Sequence, residues 1–162
     1  MKYYLSLGSN IGNRGKNLSD ARFLLEKEHI KILKSSSIYE TQPVDYSAQP
    51  WFLNQMLEVN TVLLPDELLD ILKKIEAKLG RLKSIPKGPR EIDIDIILCR
   101  ECTLDRPDLQ IPHQKFTERR FVLAPLAEIE KDLYIKITKR TITELLNRCP
   151  DQSYIQKLAT NW

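Results

Sequence analysis

The sequence lacks any apolar run that could cross a membrane. The longest, Phe121 to Ala127, is seven residues even with Pro125 counted, against the roughly 20 that a span needs. It has no low-complexity segment and no internal repeat. Its opening, MKYYLSLGSN, has no signal-peptide core, because Ser6 and Gly8 to Asn10 break the apolar stretch. Cysteine is sparse and odd in number, at Cys99, Cys102 and Cys149, which with no leader gives the expectation of reduced thiols and a cytoplasmic protein. Cys99-Arg100-Glu101-Cys102 has the spacing of half a zinc site, but a second pair is missing and only His29 and His113 are at hand, so structural thiols are expected. An excess of one charge is also missing: 25 basic against 22 acidic residues leave +3, too little to argue for a nucleic-acid partner. Familiar nucleotide loops are absent as well. Gly8-Ser9-Asn10-Ile11-Gly12 fits neither G-x-G-x-x-G nor G-x-x-x-x-G-K-[ST], so any nucleotide must be held by metal, cationic side chains and backbone.

What is present is an ordinary globular composition, 42% hydrophobic and 29% charged over 162 residues, enough for one domain spanning 1–162. Lys2 to Leu7 reads as a strand stopped by Gly8-Ser9-Asn10. A helix is expected over about Asn17 to Glu28, a strand over Ile30 to Tyr39, a loop over Thr41 to Pro50 and a strand over Phe52 to Leu63. Asp66 is expected to cap a helix that runs to Leu79 and stops at Gly80. Ile92 to Leu98 alternates as a strand, Arg106 to Pro112 reads as loop, and Glu118 to Glu128 is helical in part, interrupted by Pro125. A weak strand at Leu133 to Ile137 and a short helix from Thr143 to Cys149 complete the pattern. The order β-α-β-β-α-β predicts an α+β, ferredoxin-like sandwich, an antiparallel sheet with helices on one face, plus a C-terminal β/α extension.

Charge is concentrated in one place. Gly80 to Arg90 carries Arg81, Lys83, Lys87 and Arg90 with no acid, and Glu91, Asp93 and Asp95 follow at once. On a strand, Asp93 and Asp95 point to one face while Ile92, Ile94 and Ile96 point to the other. Two carboxylates that close repel unless a cation bridges them. Hard oxygens suit Mg²⁺, which takes one or two carboxylates and completes its shell with water and phosphate. The alternative is a solvated strand face neutralised directly by the basic loop. Arginines on a loop facing a carboxylate pair point instead to a polyphosphate held between metal and guanidinium. His113, after Pro112, and Arg119 are further candidates for phosphate contacts, although a lone histidine is usually a structural hydrogen-bonder. Asn54 shares a face with Phe52, and an amide beside an aromatic platform suits a flat, hydrogen-bonding heterocycle.

These pieces together resemble one known family, the 6-hydroxymethyl-7,8-dihydropterin pyrophosphokinases of folate biosynthesis. The resemblance runs through Leu7-Gly8-Ser9-Asn10, Ser37-x-Tyr39-x-Thr41-x-Pro43-Val44, Phe52-Leu53-Asn54, Glu76 with Gly80-Arg81, Gly88-Pro89-Arg90-x-x-Asp93-x-Asp95-Ile96, Pro112-His113 and Arg119-x-Phe121-Val122-Leu123-x-Pro125-Leu126. It implies that ATP donates its β,γ-pyrophosphate to the pterin hydroxymethyl group and AMP leaves. It implies that Asp93 and Asp95 hold two Mg²⁺ ions bound with ATP, and that Arg81 and Arg90 act in catalysis by closing over the nucleotide. By the same resemblance Lys73, Glu76, Lys83, Ile96, His113 and Arg119 line the ATP site. Thr41, Pro43, Val44, Phe52, Asn54 and Phe121, with Asp93, line the pterin pocket. Departures from the best-known members are Lys87 in place of a tryptophan, Gln114 in place of an aromatic and Lys73 in place of a glutamine. The expected partners are these two small molecules, with no nucleic acid and no membrane, acting on a monomer. A ferredoxin-like module that binds single-stranded RNA is the competing reading. It calls for exposed aromatics on the central strands, where two aspartates would repel phosphate. A third reading, an inactive homologue kept as a scaffold, is opposed by the intact Asp-x-Asp and both arginines.

Overall fold

The computed structural model describes residues 1–44, 48–80 and 88–158. In chain order its first half holds β1 (Lys2–Ser9), α1 (Arg14–Lys27), β2 (Lys31–Ser35), β3 (Tyr39–Thr41), β4 (Phe52–Asn60) and α2 (Pro65–Lys78). The second half holds β5 (Asp93–Cys99), β6 (Leu104–Arg106), β7 (Leu109–Ile111), α3 (Arg120–Glu130), β8 (Tyr134–Ile135), β9 (Arg140–Thr141), α4 (Ile142–Asn147) and β10 (Ile155–Lys157).

β1 is buried along its whole length after Lys2, since it is paired on both sides and turns Tyr3, Leu5 and Leu7 into the core. It pairs antiparallel with β4 on one side and β5 on the other. β4 also pairs with β2 and β3, and β10 adds to β3, so the six-stranded sheet runs β10-β3-β4-β1-β5 with β2 against β4. β5 is therefore an edge. One face carries Tyr3, Leu5, Leu7, Leu53, Leu57, Ile92, Ile94 and Ile96 against Leu18, Ala21 and Leu25 of α1 and Leu68, Leu72 and Ile75 of α2. The other carries Tyr4, Met56, Ile97 and Leu98 against Val122, Leu123 and Leu126 of α3 and Ile142 and Leu145 of α4. The expectation of helices on one face thus needs correction. α3 has an apolar stripe of its own, and only the second face of the sheet can bury it. No helix of the described residues is long and apolar enough to cross a membrane.

Local chemistry accounts for the other differences. α1 begins earlier than expected because Asn13 accepts a hydrogen bond from the Lys16 N–H at 3.1 Å. Pro65 rather than Asp66 opens α2, and Glu67 Oε2 accepts from the Leu64 N–H at 2.8 Å. Asp66 instead pairs with Arg106. α2 stops at Gly80, whose φ of +93° few other residues adopt. The single strand expected over Ile30 to Tyr39 is two, β2 and β3. Four steps from Ser35 to Tyr39 face three from Leu57 to Asn54, and the extra residue is absorbed where Ser36 bonds Met56 through both its N–H and its hydroxyl. The expected loop over Arg106 to Pro112 contains the β6-β7 hairpin. Pro125 stands inside α3 without ending it, and the N–H it lacks leaves the Phe121 carbonyl without its helical partner.

Candidate active site

The second face of the sheet is only half covered. In register, Tyr4 stands opposite Glu58 and Leu98, Ser6 opposite Met56 and Asp95, and Gly8 opposite Asn54 and Asp93. α3 and α4 bury the row at Tyr4. The rows at Ser6 and Gly8 open into a cavity of about 320 Å³. Its floor is Ser6, Gly8, Asn54, Asp93 and Asp95; α2 adds Leu69, Lys73 and Glu76 at i, i+4 and i+7, and Arg90, His113, Arg119 and Phe121 close the rest. Thr41, Gln42, Pro43, Val44, Gln49 and Phe52 form the opposite wall.

Each wall is fixed by a nameable contact. Asn54 lies across β1 because Gly8 has no side chain there: a Cβ would sit 2.9 Å from Asn54 Oδ1. Its amide nitrogen donates to Thr41 Oγ1 at 2.5 Å, which orients it. The edge strand β5 is held from outside by buried Glu76, whose Oε2 accepts from the Ile94 N–H at 2.9 Å, and by His113, whose N–H donates to the Ile97 carbonyl at 2.8 Å. Glu76 thus grips the one residue between the two aspartates. Arg90 is placed by Asn10: Asn10 Oδ1 accepts from the Arg90 N–H at 2.8 Å, and the Asn10 N–H donates to the Arg90 carbonyl at 3.1 Å. The same Asn10 amide donates to Gln49 Oε1 and the Pro50 carbonyl.

Charges of both signs and two aromatic rings meet in the cavity. Arg90 Nη1 is 3.5 Å from Asp93 Oδ2, and its guanidinium lies 5.5 Å from the centre of the Phe52 ring. Arg90 Nε is the one buried side-chain nitrogen or oxygen without a hydrogen-bond partner among the described residues. Such an atom is costly unless something accepts from it. Arg119 lies 5.6 Å over the Phe121 ring. Burial, then the charge of Arg119, pushes the His113 imidazole below its usual range against the opposing pull of Asp93. Because His113 Nδ1 accepts from the Lys115 N–H at 3.2 Å, the neutral ring carries its proton on Nε2, a donor. The arrangement offers hard carboxylate oxygens, guanidinium donors and two aromatic faces around one small space.

Of the residues singled out in the sequence, Thr41, Pro43, Val44, Phe52, Asn54, Lys73, Glu76, Arg90, Asp93, Asp95, His113, Arg119 and Phe121 all reach the cavity. Ile96 does not: it is buried in the core with Ile92 and Ile94, of which Ile94 alone also reaches the cavity. Arg81, Lys83 and Lys87 lie outside the described residues. Ser6, Gln42, Gln49 and Leu69 line the cavity without having stood out. Leu69 was the findable one, a helical turn before Lys73.

Residues 4–131 match the family model of 7,8-dihydro-6-hydroxymethylpterin-pyrophosphokinase (HPPK). The chain belongs to the HPPK family. It is 46% identical over 127 residues to 2-amino-4-hydroxy-6-hydroxymethyldihydropteridine pyrophosphokinase of Bacillus subtilis (strain 168), covering 78% of this chain and 76% of that protein. The protein of the same name from Aquifex aeolicus (strain VF5) is 40% identical over 141 residues, 87% of this chain and 88% of its own. Folic acid synthesis protein fol1 of Schizosaccharomyces pombe (strain 972 / ATCC 24843) is 42% identical over 150 residues, 92% of this chain. This chain spans only 20% of the length of that fungal relative. A crystal structure of Plasmodium falciparum HPPK-DHPS, wild type with SDX-DHP, has the same fold, with a TM-score of 0.70 at 20% identity over 91% of this chain and 43% of that one. β8, β9, α4 and β10 lie beyond the residues that the HPPK family model matches.

Proposed function

We propose that this HPPK family member transfers the β,γ-pyrophosphoryl group of ATP to the hydroxymethyl group of 6-hydroxymethyl-7,8-dihydropterin, in folate biosynthesis, with AMP as the other product. The observation that carries the reading is one cavity in which Asp93, Asp95, Arg90, Arg119 and Lys73 meet Asn54, Thr41, Phe52 and Phe121. The first set suits a polyphosphate and the second a flat heterocycle.

On this reading Phe52 and Phe121 stack on the pterin. Asn54, oriented by Thr41, offers an acceptor and a remaining N–H to the edge of the ring. Pro43 and Val44 shape that side. Arg90 turns its unsatisfied Nε toward phosphate oxygen, and Arg119, Lys73 and the His113 Nε2–H add donors around the nucleotide. Arg81 and Lys83 join them from the basic segment, with Arg81 and Arg90 the arginines that act on the transferring group. Glu76 sets the spacing of the two aspartates through Ile94, and Ile96 serves the nucleotide side by packing beneath β5.

Asp93 and Asp95 are the residues that would hold Mg²⁺. Two carboxylates on one strand face fit an ion that keeps most of its shell for water and phosphate. Bound there, magnesium would supply positive charge to phosphate oxygens. The chain's own work is to position the two substrates in line, neutralise charge and exclude water, which is most of what phosphoryl transfer requires.

We also read residues 1–162 as one cytoplasmic domain working as a monomer. What supports a ferredoxin-like arrangement is the strand order β5-β1-β4-β2 with α1 and α2 on one face.

The test is pyrophosphoryl transfer to 6-hydroxymethyl-7,8-dihydropterin, followed by AMP release with and without Mg²⁺. Wild type should be active only with the metal. Asp95→Ala should lose at least roughly 100-fold, the scale of removing one preorganised electrostatic contact. Near wild-type AMP release by Asp95→Ala would remove the metal-holding role.

A further inference from the structure

β3 is three residues long, yet it delivers Thr41 to the cavity and leads into Gln42, Pro43 and Val44. Its inner edge is paired with β4. Its outer edge is covered by β10, with Ile155 opposite Thr41 and Lys157 opposite Tyr39, and the Leu158 N–H donates to the Ile38 carbonyl at 2.8 Å. Just before β10, Tyr154 makes a reciprocal pair with Gln42. The Gln42 N–H donates to the Tyr154 carbonyl at 3.1 Å, and the Tyr154 N–H donates to Gln42 Oε1 at 3.1 Å. The Tyr154 ring also packs on Trp51, 5.4 Å between centres and tilted by 47°. Trp51 is the residue before Phe52. One residue therefore touches the chain where it enters the heterocycle wall and again where it leaves.

The residues just upstream hold the facing wall. Asp151 Oδ2 accepts from the Arg120 N–H at 3.0 Å, and Arg120 Nη1 donates to the Ser153 carbonyl at 3.3 Å. Arg120 sits between Arg119 and Phe121. None of Asp151, Ser153 and Tyr154 lines the cavity.

We propose that the segment Asp151–Leu158 is a positioning element for pterin binding, with Tyr154 its principal residue, acting on Thr41, Gln42 and Phe52 through β3 and Trp51. This rests on the functional reading above. Two walls that must grip a flat ring from opposite sides are referenced to the same stretch of chain. Misplacing either by a fraction of an ångström weakens that grip and leaves the nucleotide groups on α2 and β5 where they are.

The experiment is steady-state kinetics of the full chain, wild type first, then Tyr154→Ala, Tyr154→Phe and Trp51→Ala, each with a melting temperature. Tyr154→Ala and Trp51→Ala should each raise KM for 6-hydroxymethyl-7,8-dihydropterin by about tenfold, with KM for ATP and kcat within twofold of wild type. Tyr154→Phe keeps the ring and the backbone bonds and should behave as wild type. Using two alanine variants keeps the test open if one fails to fold. An unchanged pterin KM in a folded alanine variant overturns the proposal, as does a parallel rise in both KM values. A wild type that transfers nothing to the pterin overturns the functional reading and this role with it.

Discussion

Gly8 contributes by having no side chain. The space its missing Cβ would fill belongs to Asn54 Oδ1, so the glycine on one strand decides where an amide on the next can lie. Gly8→Ala should raise KM for the pterin by roughly tenfold, about 1.4 kcal/mol of binding, with little change in KM for ATP; a pterin titration of the variant checks it. Asp93 and Asp95 were legible at this scale because strand alternation dictates that residues two apart share a face. The second tasks of Asn10 and Glu76 were not. Their hydrogen bonds reach Arg90 and Ile94, 80 and 18 residues away in the chain, and no local pattern encodes such a reach. Ile96 shows the same alternation on the other face: it was expected in the core with Ile92 and Ile94 and is buried there.

At the scale of elements, the long segments followed their own periodicity and the short ones did not. α2 and β4 were readable because an apolar stripe or alternation repeats several times within them. β6, β7 and β10 have three residues each, too few to carry a period, and they exist as strands because another strand is there to pair with them. α3 illustrates the same dependence at its start. No side chain of its own caps it; the cap comes from Asp151, 31 residues further on. Burial alone would raise the Asp151 carboxyl, but hydrogen bonds from Ser153 and Arg120 outweigh it and leave it below the ordinary range. A carboxyl depressed in the folded state adds stability above its unfolded pKa, and that stability is lost as pH falls through the folded value. Asp151→Asn should therefore cost about 0.5–1 kcal/mol at pH 7, with the gap to wild type closing in acid. Urea denaturation at both pH values measures it, and a gap that does not narrow in acid rules out the charge.

Over the whole molecule, the sheet has a wet end and a sealed end on the same face. At the sealed end Glu58 is 3% exposed. The Tyr4 hydroxyl donates to it at 3.0 Å and accepts from Arg100 Nε at 2.9 Å. Lys34 and Arg100 both also meet Glu130 at the end of α3. Burial pushes the Tyr4 phenol above its usual value, so it keeps the proton it donates. Tyr4→Phe leaves a buried carboxylate short of a donor and should cost about 1–2 kcal/mol, read from thermal or urea unfolding, with the kinetic constants of the folded protein unchanged. No local pattern points to this network, since its members come from β1, β2, β4, α3 and the residue after β5.

β5 ends the sheet, and the free side of such a strand is a template on which another chain can build. Here the Ile94 amide is taken by Glu76 and the Ile97 carbonyl by the His113 N–H. The contacts that hold the acidic strand in place thereby also deny it to foreign strands, so colloidal safety and the placing of the two aspartates depend on the same pair of bonds.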